Sequence, residues 1–156
     1  MNDGHAAGFE LDPRIAADTV FVADWKLCRV LLMDDARFPW LVLVPRRAGF
    51  VELDDLDEDD CTRLMHEIRR AMKTLRGVAA CDKLNVGALG NIVRQLHVHV
   101  AARREGDAAW PAPVWGHGTT LRYAPEAREQ LVEALRDQGR DHAEAAVSVP
   151  RTQRDD

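Results

Sequence analysis

Short apolar runs separated by polar residues occupy the first third of the chain, a pattern typical of β-strands. The polar residues 24–26 between the first two runs predict a hairpin, and Pro45 ends the third run because proline cannot donate to a strand ladder. Asp12 and Pro13, just before the first run, predict a short helix. The three runs are residues 19–23, 28–33 and 40–44.

The apolar period lengthens to that of a helix in the middle of the chain. This helix is expected to begin after the acidic residues 54–60, because negative charge favours a helix N-terminus. It is expected to end near Gly77, a residue type common just past a helix end. Pro125 predicts the start of a last helix. The apolar face of the long helix consists of Leu64, Ile68, Ala71, Met72 and Leu75.

Two more strands are predicted after the long helix, at residues 83–86 and 92–101. The order of elements predicts an α+β fold, with an antiparallel sheet of about five strands, one long helix and a C-terminal helix. We predict a single domain at residues 9–137, with flexible tails at 1–8 and 138–156.

Composition narrows the classes of function. The net charge of −5 argues against a general nucleic-acid binder, and no apolar run reaches the length that a membrane span requires. Three cysteines without a CxxC pattern predict free thiols in a reducing compartment. The N-terminal residues lack the features of a signal peptide, so a cytoplasmic location is expected.

The candidate chemistry lies in the strand predicted at residues 92–101. Because side chains alternate along a strand, Gln95, His97 and His99 are expected on one face, opposite three apolar residues. Two imidazoles this close can act on one substrate group, with one as nucleophile and the other as a hydrogen-bond or proton partner. The apolar residues are Leu96, Val98 and Val100.

The alternation alone leaves two other interpretations open. His97 and His99 could form half of a zinc site, which needs at least a third ligand. They could also be partly exposed side chains without a role. The candidate third ligands are His66, His117 and His142, none of which has a diagnostic spacing.

The segment QLHVHVA at residues 95–101 resembles the motif H-φ-H-φ-H-φ-φ, where φ is apolar, of the histidine-triad (HIT) superfamily. Gln95 then occupies the first histidine position. Residues 90–93, 85–87 and 40–47 also resemble stretches of these proteins, and the resemblance covers roughly residues 9–118. Within this superfamily, the sequence most resembles a bacterial branch related to dinucleoside polyphosphate (Ap4A-type) hydrolases.

The resemblance implies a hydrolase or transferase acting at the α-phosphate of a purine nucleotide or dinucleoside polyphosphate. His97 would attack the phosphorus and form a nucleotidyl-histidine intermediate, while His99 would orient the phosphate. Gln95 can donate a hydrogen bond to a phosphate oxygen, but it cannot transfer a proton at neutral pH.

The resemblance also implies a homodimer that needs no cofactor or metal. Asn85, Asn91 and Asp34 are candidate nucleotide-binding residues, although each also suits a turn, and Asp35 is an equally good carrier for the role of Asp34. The alternatives are a catalytically weak purine-nucleotide-binding module and a metal-binding protein that uses its histidines.

Overall fold

The computed structural model describes residues 8–147, with side chains up to residue 143. Two strands precede the third and central one, the long helix follows, and two strands and a last helix complete the chain. A short 3₁₀ turn at Leu53–Asp55 leads into the long helix. The elements are α1 (Pro13–Asp18), β1 (Thr19–Asp24), β2 (Cys28–Met33), β3 (Trp40–Pro45), α2 (Glu58–Val78), β4 (Lys83–Gly87), β5 (Val98–Arg103) and α3 (Pro125–Val147).

The five strands form one antiparallel sheet in the order β1-β2-β3-β5-β4. This confirms the predicted α+β fold. Every residue of β3 and β5 is buried, because both strands lie in the interior of the sheet and have packed layers on both faces. The register places Val42 of β3 and Gly87 of β4 on either side of His99.

The two faces of the sheet bury different clusters of side chains. One face packs against α2, whose buried residues include four of the five on the predicted apolar stripe. The other face carries a smaller cluster that includes Ile15, Phe38 and Trp40. Along β5, Val98 and Val100 belong to the first cluster and Ala101 to the second. The strand therefore serves both layers.

The prediction that Gly77 caps the long helix is wrong. The helix continues to Val78 and ends at Ala79, which is extended. Gly77 instead lies where the side chain of Gln138 in α3 crosses the helix, and a Cβ at this position would overlap that side chain. A glycine is therefore needed at this position because the two helices pack closely here, and not because the helix ends.

The last helix runs ten residues beyond the predicted domain limit at residue 137. Gly139 is buried against the Trp25 ring, and its carbonyl accepts a hydrogen bond from Nε of Arg70 at 2.9 Å. These contacts give the helix tertiary support where its sequence is polar. Of the predicted tails at 1–8 and 138–156, residues 1–7 and 148–156 lie outside the described residues.

No helix in the described part of the chain is both long and apolar enough to cross a membrane.

The strand predicted at residues 92–101 begins only at Val98. The ladder with β4 ends at the pair Gly87–His99 and the ladder with β3 ends at the pair Leu43–Val98, so residues before Val98 are not paired with either strand. Their hydrogen bonds go elsewhere, as when the amide of Leu96 donates to the carbonyl of Phe50 at 3.0 Å. The strict alternation assumed for Gln95 and His97 therefore does not hold.

Candidate functional site

His99 projects from β5 on the side away from α2 and is 7% exposed. The indole N–H of Trp40 donates to its Nδ1 at 3.0 Å. An indole nitrogen can only donate, so Nδ1 of His99 accepts and the neutral ring carries its proton on Nε2. Burial, together with the nearby His97, lowers the pKa of His99 to about 4. The ring is therefore neutral near pH 7, with an N–H donor at Nε2.

His97 lies just before β5, and the centroid of its ring is 4.8 Å from that of His99. Its Nδ1 is 2.6 Å from the backbone carbonyl oxygen of Gln95. A carbonyl oxygen can only accept, so Nδ1 carries a proton and donates it. In the neutral ring this leaves the lone pair on Nε2. The backbone thus fixes the tautomer in which Nε2 can act as a nucleophile.

A cavity of about 350 Å³ opens beside both histidines. This volume lies at the lower end of the range for small-molecule sites. Arg14, Asp18 and Thr19 form its polar edge. Its other lining residues are Ile15, Met33, Val42, Ile92 and Val93, together with His97 and His99.

A second cavity, of about 250 Å³, also has His97 in its wall. It lies between the 3₁₀ turn and the loop that follows β4, and Leu53 and Leu89 in its wall are about half exposed. His97 therefore borders two cavities. A group bound at His97 could extend into the first cavity, and the group that it loses could occupy the second.

Gln95 lines the second cavity, but its carboxamide binds the N-terminal segment. Its side-chain Oε1 accepts from the amide of Asp12 at 2.9 Å, and its Nε2 donates to the carbonyl of Glu10 at 2.7 Å. Both polar atoms of the carboxamide bind the backbone of the N-terminal segment, and a role of Gln95 in catalysis stays a prediction.

Asp34 is 2% exposed and its carboxylate binds the chain before and within α3. Oδ1 accepts from the amide of Tyr123 at 3.1 Å, and Oδ2 accepts from Arg122 at 3.0 Å and Arg128 at 3.3 Å. Asp35 makes a two-bond pair with Arg37. Both aspartates line a third cavity of about 170 Å³. Nucleotide binding by Asp34 remains a prediction.

The two asparagines differ in their surroundings. Asn85 lies on β4, and its Oδ1 accepts from the guanidinium of Arg103 at 2.8 Å. Asn91 is exposed in the bend that follows Gly90, a glycine with φ of +70°. Neither side chain is among those that line the cavity beside His97 and His99.

Three further groups surround the histidines, and sequence reasoning missed Trp40 and Arg103 among them. Trp40 holds His99, and Trp115 packs edge-on with its ring centroid 5.7 Å from that of His99. Trp115 also lies over Gly87, where an added Cβ would approach its ring to 3.0 Å. The third group is the buried Arg103, which donates twice to Asp107 and fastens the loop that leads to Trp115. Strand pairing brings Trp40 to His99, and the loop after β5 brings Trp115 to it, whereas Arg103 and Asp107 are only four residues apart in sequence.

Among residues 8–147, no group of three His, Cys, Asp or Glu side chains is placed to hold a metal ion. The candidate third ligands are dispersed: His66 lies exposed on α2, His142 lies on α3, and His117 lies in the loop before α3.

Comparison with known proteins gives a consistent result. The family model described as the HIT domain matches residues 14–106. A histidine triad protein from Bradyrhizobium japonicum is 48% identical, with a TM-score of 0.81, and the match covers 83% of this chain and 97% of that one. A second, from Sinorhizobium meliloti, is 41% identical, with a TM-score of 0.83 and coverage of 85% and 98%.

A third histidine triad protein, from Marinobacter aquaeolei, is 39% identical, with a TM-score of 0.82, and covers 85% of this chain and 97% of its own. No functionally curated protein gives a significant match.

Proposed function

The chain belongs to the HIT domain family, and on that premise we propose that it is a nucleotide hydrolase or transferase that acts at the α-phosphate through a nucleotidyl-histidine intermediate. The observation that carries the proposal is the hydrogen bond from Nδ1 of His97 to the carbonyl of Gln95. It leaves Nε2 with its lone pair, at the boundary between two cavities.

The reaction follows from this arrangement in two displacements. Nε2 of His97 forms a bond to the α-phosphorus while the bond from phosphorus to the leaving group breaks. Water then attacks the phosphorus, the N–P bond breaks, the proton of the attacking water passes to solvent, and Nε2 of His97 regains its lone pair. His99 supports both steps, because its Nε2–H can donate to a phosphoryl oxygen whose charge grows in the transition state.

The substrate we propose is a purine nucleotide or a dinucleoside polyphosphate, in the manner of the Ap4A-type branch. The apolar wall of the larger cavity suits a nucleobase, and its edge offers Arg14 and Thr19 to polar groups. The bond that breaks is a phosphoric anhydride or a phosphoramidate.

We also propose a homodimer and a cytoplasmic location. The dimer is supported by the edge position of β4, where Val86 and the following Leu89 are nearly half exposed. Light scattering after size-exclusion chromatography tests the dimer, since a monomer at micromolar concentration would contradict it.

The test of the enzyme proposal compares wild type with His97→Ala and the matched control His66→Ala, which removes an exposed histidine from α2. AMP release from a dinucleoside polyphosphate and from an adenosine phosphoramidate is measured. We expect His97→Ala to lose at least about 10³-fold in turnover, as when a covalent nucleophile is removed, and to retain AMP binding. Because an N–P bond to histidine hydrolyses in acid, the reaction is quenched with alkaline denaturant, which should trap a nucleotidyl adduct in wild type and His66→Ala but not in His97→Ala.

One observation favours a second candidate, a purine-nucleotide-binding module with weak turnover. Gln95 stands at the first position of the triad, and its carboxamide is bonded to the backbone and cannot supply a proton to a leaving group. Tight AMP binding with no turnover of either substrate class would support this candidate. Turnover by His97→Ala at the wild-type rate would contradict the proposal that His97 is the nucleophile of an enzyme.

A further inference from the structure

The side chain of Gln95 makes the pair of hydrogen bonds that a backbone peptide group makes in a β-ladder. The carboxamide accepts from the amide of Asp12 at 2.9 Å and donates to the carbonyl of Glu10 at 2.7 Å, across more than 80 residues of sequence. A peptide group makes the same donor–acceptor pair. Glutamate retains the acceptor but loses the donor, so an amide is required for both bonds.

The segment held in this way forms one wall of the cavity beside the histidines. Asp12 caps α1 by accepting from the amide of Arg14, and Arg14 in turn donates to the carbonyl of Ile92 at 3.0 Å. α1 itself supplies the buried Ile15 and, together with Thr19, the polar edge of the cavity. A helix of six residues has little stability of its own, so its position depends on these anchors.

The same residue also sets the state of His97, because the backbone carbonyl of Gln95 accepts from Nδ1 of that ring. If residue 95 is displaced, the loss of its side-chain hydrogen bonds therefore moves the cavity wall. The same displacement moves its backbone carbonyl and with it the ring of His97. The two effects cannot be separated at this position.

We propose that Gln95 is a positioning residue that couples the N-terminal wall of the nucleotide cavity to the tautomer of His97. This inference rests on the proposed function for its kinetic consequences only. The glutamine at the first triad position is then a structural anchor, and replacing it with histidine breaks the anchor without adding a useful acid.

The test uses Gln95→Glu, which removes one hydrogen bond at nearly constant shape, and Gln95→Met, which removes both. Gln130→Glu is the matched control, because it makes the same chemical change at an exposed position of α3. Amide hydrogen exchange is followed at residues 12–18, and the ring ¹⁵N shifts of His97 report its tautomer. Near-ultraviolet circular dichroism confirms that each variant is folded.

We expect exchange at residues 12–18 to rise about tenfold in Gln95→Glu and further in Gln95→Met, as the loss of one and two hydrogen bonds implies. The Nδ1–H tautomer of His97 should lose population in both variants. KM should rise about tenfold, with a smaller change in kcat, and Gln95→His should resemble Gln95→Met. Gln130→Glu should match wild type throughout.

Exchange at residues 12–18 that stays at the wild-type level in both variants overturns the inference, whatever happens to activity. A loss confined to kcat, with KM and exchange unchanged, also overturns it and makes Gln95 a contact of the reacting phosphate. If the wild type shows no turnover, the proposed enzyme fails while exchange, the ¹⁵N shifts and the Kd for AMP still decide the role of Gln95.

Discussion

The neutral ring of His99 makes the stability of the fold depend on pH in a way that can be calculated. Its pKa is about 4 in the folded protein, because the ring is buried beside His97, and about 6.5 in the unfolded chain. Between these two pH values the unfolded chain binds a proton at His99 and the folded protein does not. The free energy of unfolding therefore falls as pH falls from 6.5 towards 4. At 1.36 kcal/mol per pKa unit the full loss is about 3 kcal/mol, of which about 2 kcal/mol is reached by pH 5.

Urea denaturation of wild type and His99→Gln at about pH 7.5 and about pH 5 measures this effect. The variant is less stable than wild type at the higher pH, because it disturbs a buried contact with Trp40. Its further loss between the two pH values should be about 2 kcal/mol smaller than that of wild type. His66→Gln, at an exposed position, should lose as much as wild type.

Equal losses for wild type and His99→Gln would refute the reasoning. An NMR titration in which the His99 ring of the folded protein takes up its proton near pH 6.5 would also refute it, since burial would then not lower the pKa of the ring.

Two other substitutions test contacts around the histidines. Trp40→Phe removes the donor to Nδ1 of His99, and urea denaturation should show a loss of about 1–3 kcal/mol from the unpaired buried acceptor, while unchanged stability would remove the basis for the assigned tautomer. Asp107→Asn breaks the bidentate pair with the buried Arg103 and should cost about 3 kcal/mol near neutral pH. Asp24→Asn, at a pair about one-third exposed, should cost at most about 1 kcal/mol, and equal costs for the two asparagine variants would contradict the burial argument. The hydrogen bonds from Arg103 hold the pKa of Asp107 at about 2, so this stability is present above about pH 4 and is lost as pH falls through 2.

Local pattern was sufficient for most of the fold. Short apolar runs predicted the first three strands, the helical period predicted the face of α2 that contains Leu64 and Ile68, and Asp12 with Pro13 predicted the start of α1. These features depend on residues that are close in sequence. The expectation for Gly77 was wrong because the residue that packs against it, Gln138, lies 61 positions later.

The site was predictable only in part, for the same reason. Alternation and the family motif brought His97 and His99 together, and their rings do meet. The donor Trp40 is 59 residues away from His99, and the partners of the Gln95 carboxamide are more than 80 away. Strand order and the path of the N-terminal segment decide these contacts, and neither leaves a periodic signal in the sequence.

The burial of β5 on both faces has a consequence for how such a protein can change through mutation. Val98 and Val100 pack towards α2 and flank His99 on the chain, so a change in their volume is expected to shift the imidazole without touching a ligand. The effects of substitutions at these valines and at His99 should therefore be non-additive. This epistasis limits which substitutions β5 can accept. We expect new ligand preferences to arise through Ile15 and Met33, whose side chains lie on separate elements at the edge of the cavity, and β5 to change last.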